Sequence, residues 1–102
     1  MQATHSTPPQ WPPGTAVVQI ATFNEAASIG QLLRAIHTIV PHAQILVIDD
    51  NSPDGTAKIV AQQVKEKECI HLLLRTDRRG LGTAIVEGIQ FAQRRGAEIV
   101  IH

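Results

Sequence analysis

The chain has 102 residues, 43% of them hydrophobic, with nine Lys plus Arg balanced by nine Asp plus Glu. That length holds one domain, and no stretch reaches the roughly 18 consecutive apolar residues of a membrane span. Zero net charge and three aromatics (Trp11, Phe23 and Phe91) leave neither the field nor the stacking surface of a nucleic-acid binder, so nucleic acid is not an expected partner.

Residues 1–14, MQATHSTPPQWPPG, carry four prolines among polar filler and predict a disordered arm. They lack the basic start and apolar core of a secretory signal. The single cysteine, Cys69, rules out an internal disulfide and reads as a half-buried thiol. Together these features predict a cytoplasmic chain. Residues 15–102 form the domain.

Ala16–Ala21 reads as a first strand. Asn24 is placed to cap a helix in which Ile29, Leu32, Leu33, Ile36 and Ile39 recur at helical spacing, and Pro41 ends it. Gln44–Asp49 is an almost unbroken apolar run, as expected of a parallel strand buried on both faces. A turn, DNSPDG, leads into a helix over about Thr56–Glu68 with Ile59, Val60 and Val64 inward. Ile70–Arg75 is a third strand. A third helix then carries Ala84, Ile85, Ile89 and Ala92 on one face and ends at Gly96. Glu98–Ile101 begins a fourth strand. This alternation predicts an α/β fold: a three-layer open parallel sheet, Rossmann-like, in the order 3-2-1-4.

Ligands of such sheets sit beyond the carboxyl ends of the strands, and three of these ends carry chemistry. The first, ATFNEA, has no glycine fingerprint for a dinucleotide; it offers the Phe23 ring for stacking on a base and the Glu25 carboxylate as an acceptor. The second, Asp49-Asp50-Asn51-Ser52-Pro53-Asp54, puts carboxylates where ribose hydroxyls are bound in related folds. The third places Arg78 and Arg79 beside Gly80 and Gly82 at a helix start, a candidate diphosphate contact. The histidines fall at no metal-ligand spacing.

Taken together, QIATFNEAASIG, ILVIDDNSPDGTAKIV and RRGLGTAIVEGIQFA resemble the polyprenol- and dolichol-phosphate mannose synthases among the inverting family 2 glycosyltransferases of GT-A fold. Those proteins read close to V-x-x-P-T-Y-N-E, V-D-D-x-S-P-D-G-T and G-L-G-T-A, and the resemblance covers about Ala16 to His102. It implies that Ala21, Phe23, Glu25, Ile48, Asp50 and Arg78 contact the nucleotide. Ala21 stands where the family has proline, Phe23 replaces tyrosine and Arg78 replaces lysine.

The resemblance further implies transfer of mannose from GDP-mannose to a polyprenyl (dolichyl) phosphate with inversion, with Mg²⁺ or Mn²⁺ in the full-length family. The metal-binding D-A-D triplet is expected just after Val100-Ile101-His102, where this chain ends. The expectation is thus a GT-A nucleotide-binding half truncated after its fourth strand. It is expected to lack metal ligands, to be inactive alone, to lie at the cytosolic face of a membrane and to self-associate through strand 4. The alternatives are a non-catalytic nucleotide-binding or interaction fragment, or a relative using another sugar nucleotide and acceptor.

Overall fold

A computed structural model describes residues 10–77 and 80–102. Its elements alternate: β1 (Ala16–Thr22), α1 (Ile29–Ile39), β2 (Gln44–Asp49), α2 (Thr56–Glu66), β3 (Ile70–Leu74), α3 (Leu81–Arg94) and β4 (Ile99–Ile101). All strand pairs are parallel, in the order β3-β2-β1-β4. Strand order therefore reverses between β1 and β4, as the alternation of elements predicts.

Period-two alternation along the strands builds two cores. Ile45 and Val47 of β2, with Ile70 of β3, face α1 and α2 and meet Ile29, Leu33 and Val60. Val17 of β1, with Leu46 and Ile48 of β2, faces α3 and meets Ala84 and Ala92. Each fully buried Ile, Leu or Val contributes roughly 1.5–3 kcal/mol relative to exposure, so the doubly covered β2 anchors both layers.

Three local features differ from the sequence expectation. Asn24 does not cap α1. It takes a left-handed φ of 59°, which asparagine tolerates, and the helix starts four residues later from Ser28. Ile59 is exposed beside Gly30, because the buried stripe of α2 runs through Thr56 and Val60. Ile39, 77% exposed at the last turn of α1, and Leu32, 43% exposed, lie outside the buried stripe through Ile29 and Leu33.

Gln10–Gly14, the last residues of the proline-rich arm, lie against the end of α3; residues 1–9 are outside the described residues. The Gln10 side chain donates to the Arg94 carbonyl at 2.6 Å and the Trp11 amide to the Arg95 carbonyl at 2.8 Å, satisfying carbonyls that a helix end leaves open. The Arg95 guanidinium stacks 4.4 Å over the Trp11 ring.

Candidate functional site: the carboxyl ends of β1 and β2

The parallel register of β1 and β2 pairs Ala21 with Ile48 and Thr22 with Asp49. Residues two apart on a strand share a face, so Ala21 and Ile48 lie side by side on the α3 face. Phe23 and Asp50, two residues on, continue those two rows past the strand ends. Four of the six residues singled out from the sequence are thus brought to one edge. Phe23 is 37% exposed, Glu25 is exposed in the same loop, Ile48 is buried and Asp50 is 7% exposed. Arg78 and Arg79 lie outside the described residues.

The loop after β1 is held by side chains of the DNSPDGT segment. The Asn24 amide donates to Ser52 Oγ at 2.9 Å, the Glu25 amide to Thr56 Oγ1 at 3.0 Å and the Ala26 amide to Asp54 Oδ2 at 3.0 Å. Asp54 also accepts from the amide and hydroxyl of Thr56. The Thr56 hydroxyl, then the amides, hold the Asp54 carboxyl below the usual carboxylate range. Gly55, at φ 90°, makes the turn that lets α2 start. The motif is more than a turn: it fixes the backbone from which Phe23 and Glu25 project.

Asp49 and Asp50 are adjacent carboxylates, yet alternation sends them to opposite faces. Asp49 is fully buried and accepts from Thr22 Oγ1 at 2.7 Å, Ser52 Oγ at 2.6 Å and the Ser52 amide at 2.8 Å. Asp50 faces the α3 side, where Arg75 meets it: Nε donates to Oδ1 at 2.6 Å and Nη2 to Oδ2 at 3.0 Å. Arg75 is itself only 4% exposed. Its charge is held above the usual arginine range, chiefly by that hydrogen bond to Asp50. In the sequence Arg75 reads only as the last residue of a strand. The available signal was a lone arginine closing an apolar run, Ile-His-Leu-Leu-Leu-Arg, at the level of the site.

Beside this edge, where β4 stops pairing at Ile101 while β1 runs on, a cavity of about 390 Å³ is lined by Gln19, Ala21, Ile48, Ile85 and His102 among others. A larger concavity of about 540 Å³ lies at the opposite end, near Pro13, Ala16, Val40 and Pro41. It is remote from the strand ends that carry the carboxylates, so the site is assigned to the carboxyl edge despite its smaller volume.

Among the described residues no group of three or more His, Cys, Asp or Glu side chains could hold a metal ion. Asp49 is enclosed by hydroxyl and amide donors, and the Arg75 guanidinium offsets the Asp50 charge, which disfavours a cation there while leaving lone pairs for neutral donors. The residues present therefore do not fit a divalent ion. What the described residues offer is the partly exposed Phe23 ring, the exposed Glu25 carboxylate and the Asp50 carboxylate held by Arg75.

Comparison with known proteins identifies the family. Residues 17–101 match the family model described as glycosyl transferase family 2. An undecaprenyl-phosphate mannosyltransferase of Micrococcus luteus is 35% identical over 82 residues, covering 80% of this chain and 34% of the relative. A polyprenol monophosphomannose synthase of Mycolicibacterium smegmatis is 32% identical over 91 residues, covering 88% of this chain and 34% of the relative. Among solved structures, the mannosyltransferase PcManGT from Pyrobaculum calidifontis, in complex with GDP-Man and Mn²⁺, superposes with a TM-score of 0.67 at 25% identity. That match covers 90% of this chain and 28% of the neighbour. The chain thus spans about a third of the length of the curated relatives it matches.

Proposed function

The chain belongs to glycosyl transferase family 2, and from that premise we propose that it forms the nucleotide-binding part of an enzyme transferring mannose from GDP-mannose to a polyprenyl phosphate with inversion. The observation that supports this most is the register Ala21↔Ile48, from which Phe23 and Asp50 each follow two residues on, past the strand ends. The base stacks on Phe23, Glu25 accepts from base or sugar donors, and Asp50 accepts from the ribose hydroxyls. Arg78, outside the described residues, is the cation proposed to offset the diphosphate charge.

In the family reaction a Mg²⁺ or Mn²⁺ ion offsets charge on the departing diphosphate. The described residues do not supply its site, so the role proposed for them is binding and orientation. The phosphate oxygen of the acceptor is already anionic, and its attack on the anomeric carbon requires no strong general base. No described helix is long and apolar enough to cross a membrane; the proposed location is the cytosolic face, where a polyprenyl phosphate headgroup is presented. Half-exposed Ile99 and Ile101 on β4 support self-association of the chain through that edge.

The test is incubation with mannose-labelled GDP-mannose, polyprenyl phosphate and Mg²⁺, alongside a binding titration. The expected result is binding of GDP-mannose with no labelled lipid above a protein-free blank. Base–aromatic stacking is worth about 1–3 kcal/mol, so Phe23→Ala is expected to weaken binding at least about fivefold. Labelled lipid formed by the chain alone, or unchanged affinity in Phe23→Ala, would contradict the proposal.

A further inference from the structure

We propose that Arg75 is a positioning residue that makes the site selective for ribose over deoxyribose, acting through Asp50 without touching the nucleotide. This rests on the reading of Asp50 as the ribose acceptor. A guanidinium carries five N–H donors in a rigid planar fork, and every one of them is engaged. Nε donates to Asp50 Oδ1 at 2.6 Å, and Nη2 donates to Asp50 Oδ2 and the Gly80 carbonyl, each at 3.0 Å. Nη1 donates to Thr83 Oγ1 and Glu87 Oε1, each at 3.1 Å. With its donors spent and only 4% of its surface exposed, Arg75 has nothing left to offer a ligand directly.

What it does instead is fix a plane. The bidentate pair locks the Asp50 carboxylate against rotation, and the three bonds to Gly80, Thr83 and Glu87 lock the guanidinium to the first turns of α3. An ionised carboxylate is a pure acceptor with about four lone-pair sites. Arg75 occupies one on each oxygen, so each oxygen keeps a second lone pair in a fixed direction. The two remaining lone pairs diverge, so one of them, held in a fixed direction, suits one ribose hydroxyl; a 2′-deoxy sugar leaves that desolvated lone pair without a donor. A lysine at position 75 keeps the charge but, as a compact point donor, cannot hold the carboxylate plane or span all four partners.

The readout is the ratio of dissociation constants for 2′-deoxy-GDP and GDP, measured by NMR titration of the wild-type chain, Arg75→Lys and Thr83→Val. Wild type is expected to prefer GDP about tenfold, one hydrogen bond's worth in a binding equilibrium. Arg75→Lys is expected to bring the ratio below about threefold while leaving the 2′-deoxy-GDP affinity within about twofold. A merely structural role would weaken both ligands alike. Should Arg75→Lys fail to fold, Thr83→Val, which removes one exposed acceptor of Arg75, is expected to cut the ratio by at least half. A wild-type ratio near one sinks the ribose reading of Asp50 and the inference with it. A wild-type preference retained in the folded variants overturns the role of Arg75 alone.

Discussion

Both oxygens of the Asp50 carboxylate accept from the guanidinium of Arg75, at 2.6 and 3.0 Å, although 25 residues separate the two in sequence. The pair ties the end of β2 to the end of β3 in a place where neither side chain is more than one-tenth exposed. Removing one member of a buried pair strands the other's charge, at a cost of roughly 3–5 kcal/mol. Arg75→Met is therefore expected to lose about 3 kcal/mol or more in urea denaturation, and Asp50→Asn combined with Arg75→Met to lose less than Arg75→Met alone. A double variant that loses the sum of its single losses would show that the pair is not coupled.

Gly88 of α3 is buried against β1 and β2. A Cβ there would overlap Gln19 Oε1 and meet Ile48 Cδ1 at 2.8 Å. Gln19 is held in that place because its Nε2 donates to the Ile85 carbonyl at 3.2 Å, while its Oε1 is buried without a hydrogen-bond partner. Overpacking typically costs about 1–3 kcal/mol, so Gly88→Ala is expected to lose about 2 kcal/mol of stability, and Gln19→Ala to restore most of it in the double variant. Equal stabilities of wild type and Gly88→Ala would contradict the packing described.

His71 sits between Gln44, at 2.8 Å, and the Trp11 and Arg95 side chains. Burial, then the nearby Arg95 charge, lowers its pKa from 6.5 to about 4. Between those values the unfolded chain takes up a proton that the folded chain refuses. Stability is thus full above about pH 6.5, falls as the pH drops toward about 4 and levels off below it. Since the ring is only half buried, screening limits this contribution to about 1 kcal/mol. Denaturation midpoints from pH 7 to pH 4 are expected to fall more steeply in wild type than in His71→Gln; parallel curves would remove His71 as the cause.

The exposed edge gives a third kind of test. β4 pairs with β1 alone, and Ile99 and Ile101 are 52% and 50% exposed. An apolar edge strand templates pairing with another chain, and a charge on it opposes that pairing. Light scattering after size exclusion is expected to show assemblies of wild type that Ile101→Lys reduces toward the monomer. A wild-type chain that is monomeric at all concentrations would refute self-association through this edge.

The sheet order was legible because alternating strand and helix patterns leave few right-handed parallel arrangements. The grouping of Ala21, Phe23, Ile48 and Asp50 was legible through their motifs, which fall at strand ends. Arg75 was not legible, because ion pairing between strand ends depends on register and not on local pattern. The same limit hid the use of Ser52, Asp54 and Thr56 as struts for the β1–α1 loop: turn composition accounted for them locally, while their partners lie about 30 residues earlier. Asn24 misled for a related reason, since its residue type suits both a helix cap and a left-handed turn.

The most direct measurement is a ¹⁵N–¹H NMR titration of the chain with GDP-mannose. With a diphosphate near carboxylates and no metal site among the described residues, a dissociation constant of about 1 mM or weaker is expected, roughly −4 kcal/mol. The amide shifts should concentrate at residues 22–25 and 49–54, with weaker effects at the start of α3. Saturable shifts centred instead on the concavity near Pro13 and Val40, or none at millimolar ligand, would contradict a nucleotide site at the carboxyl ends of β1 and β2.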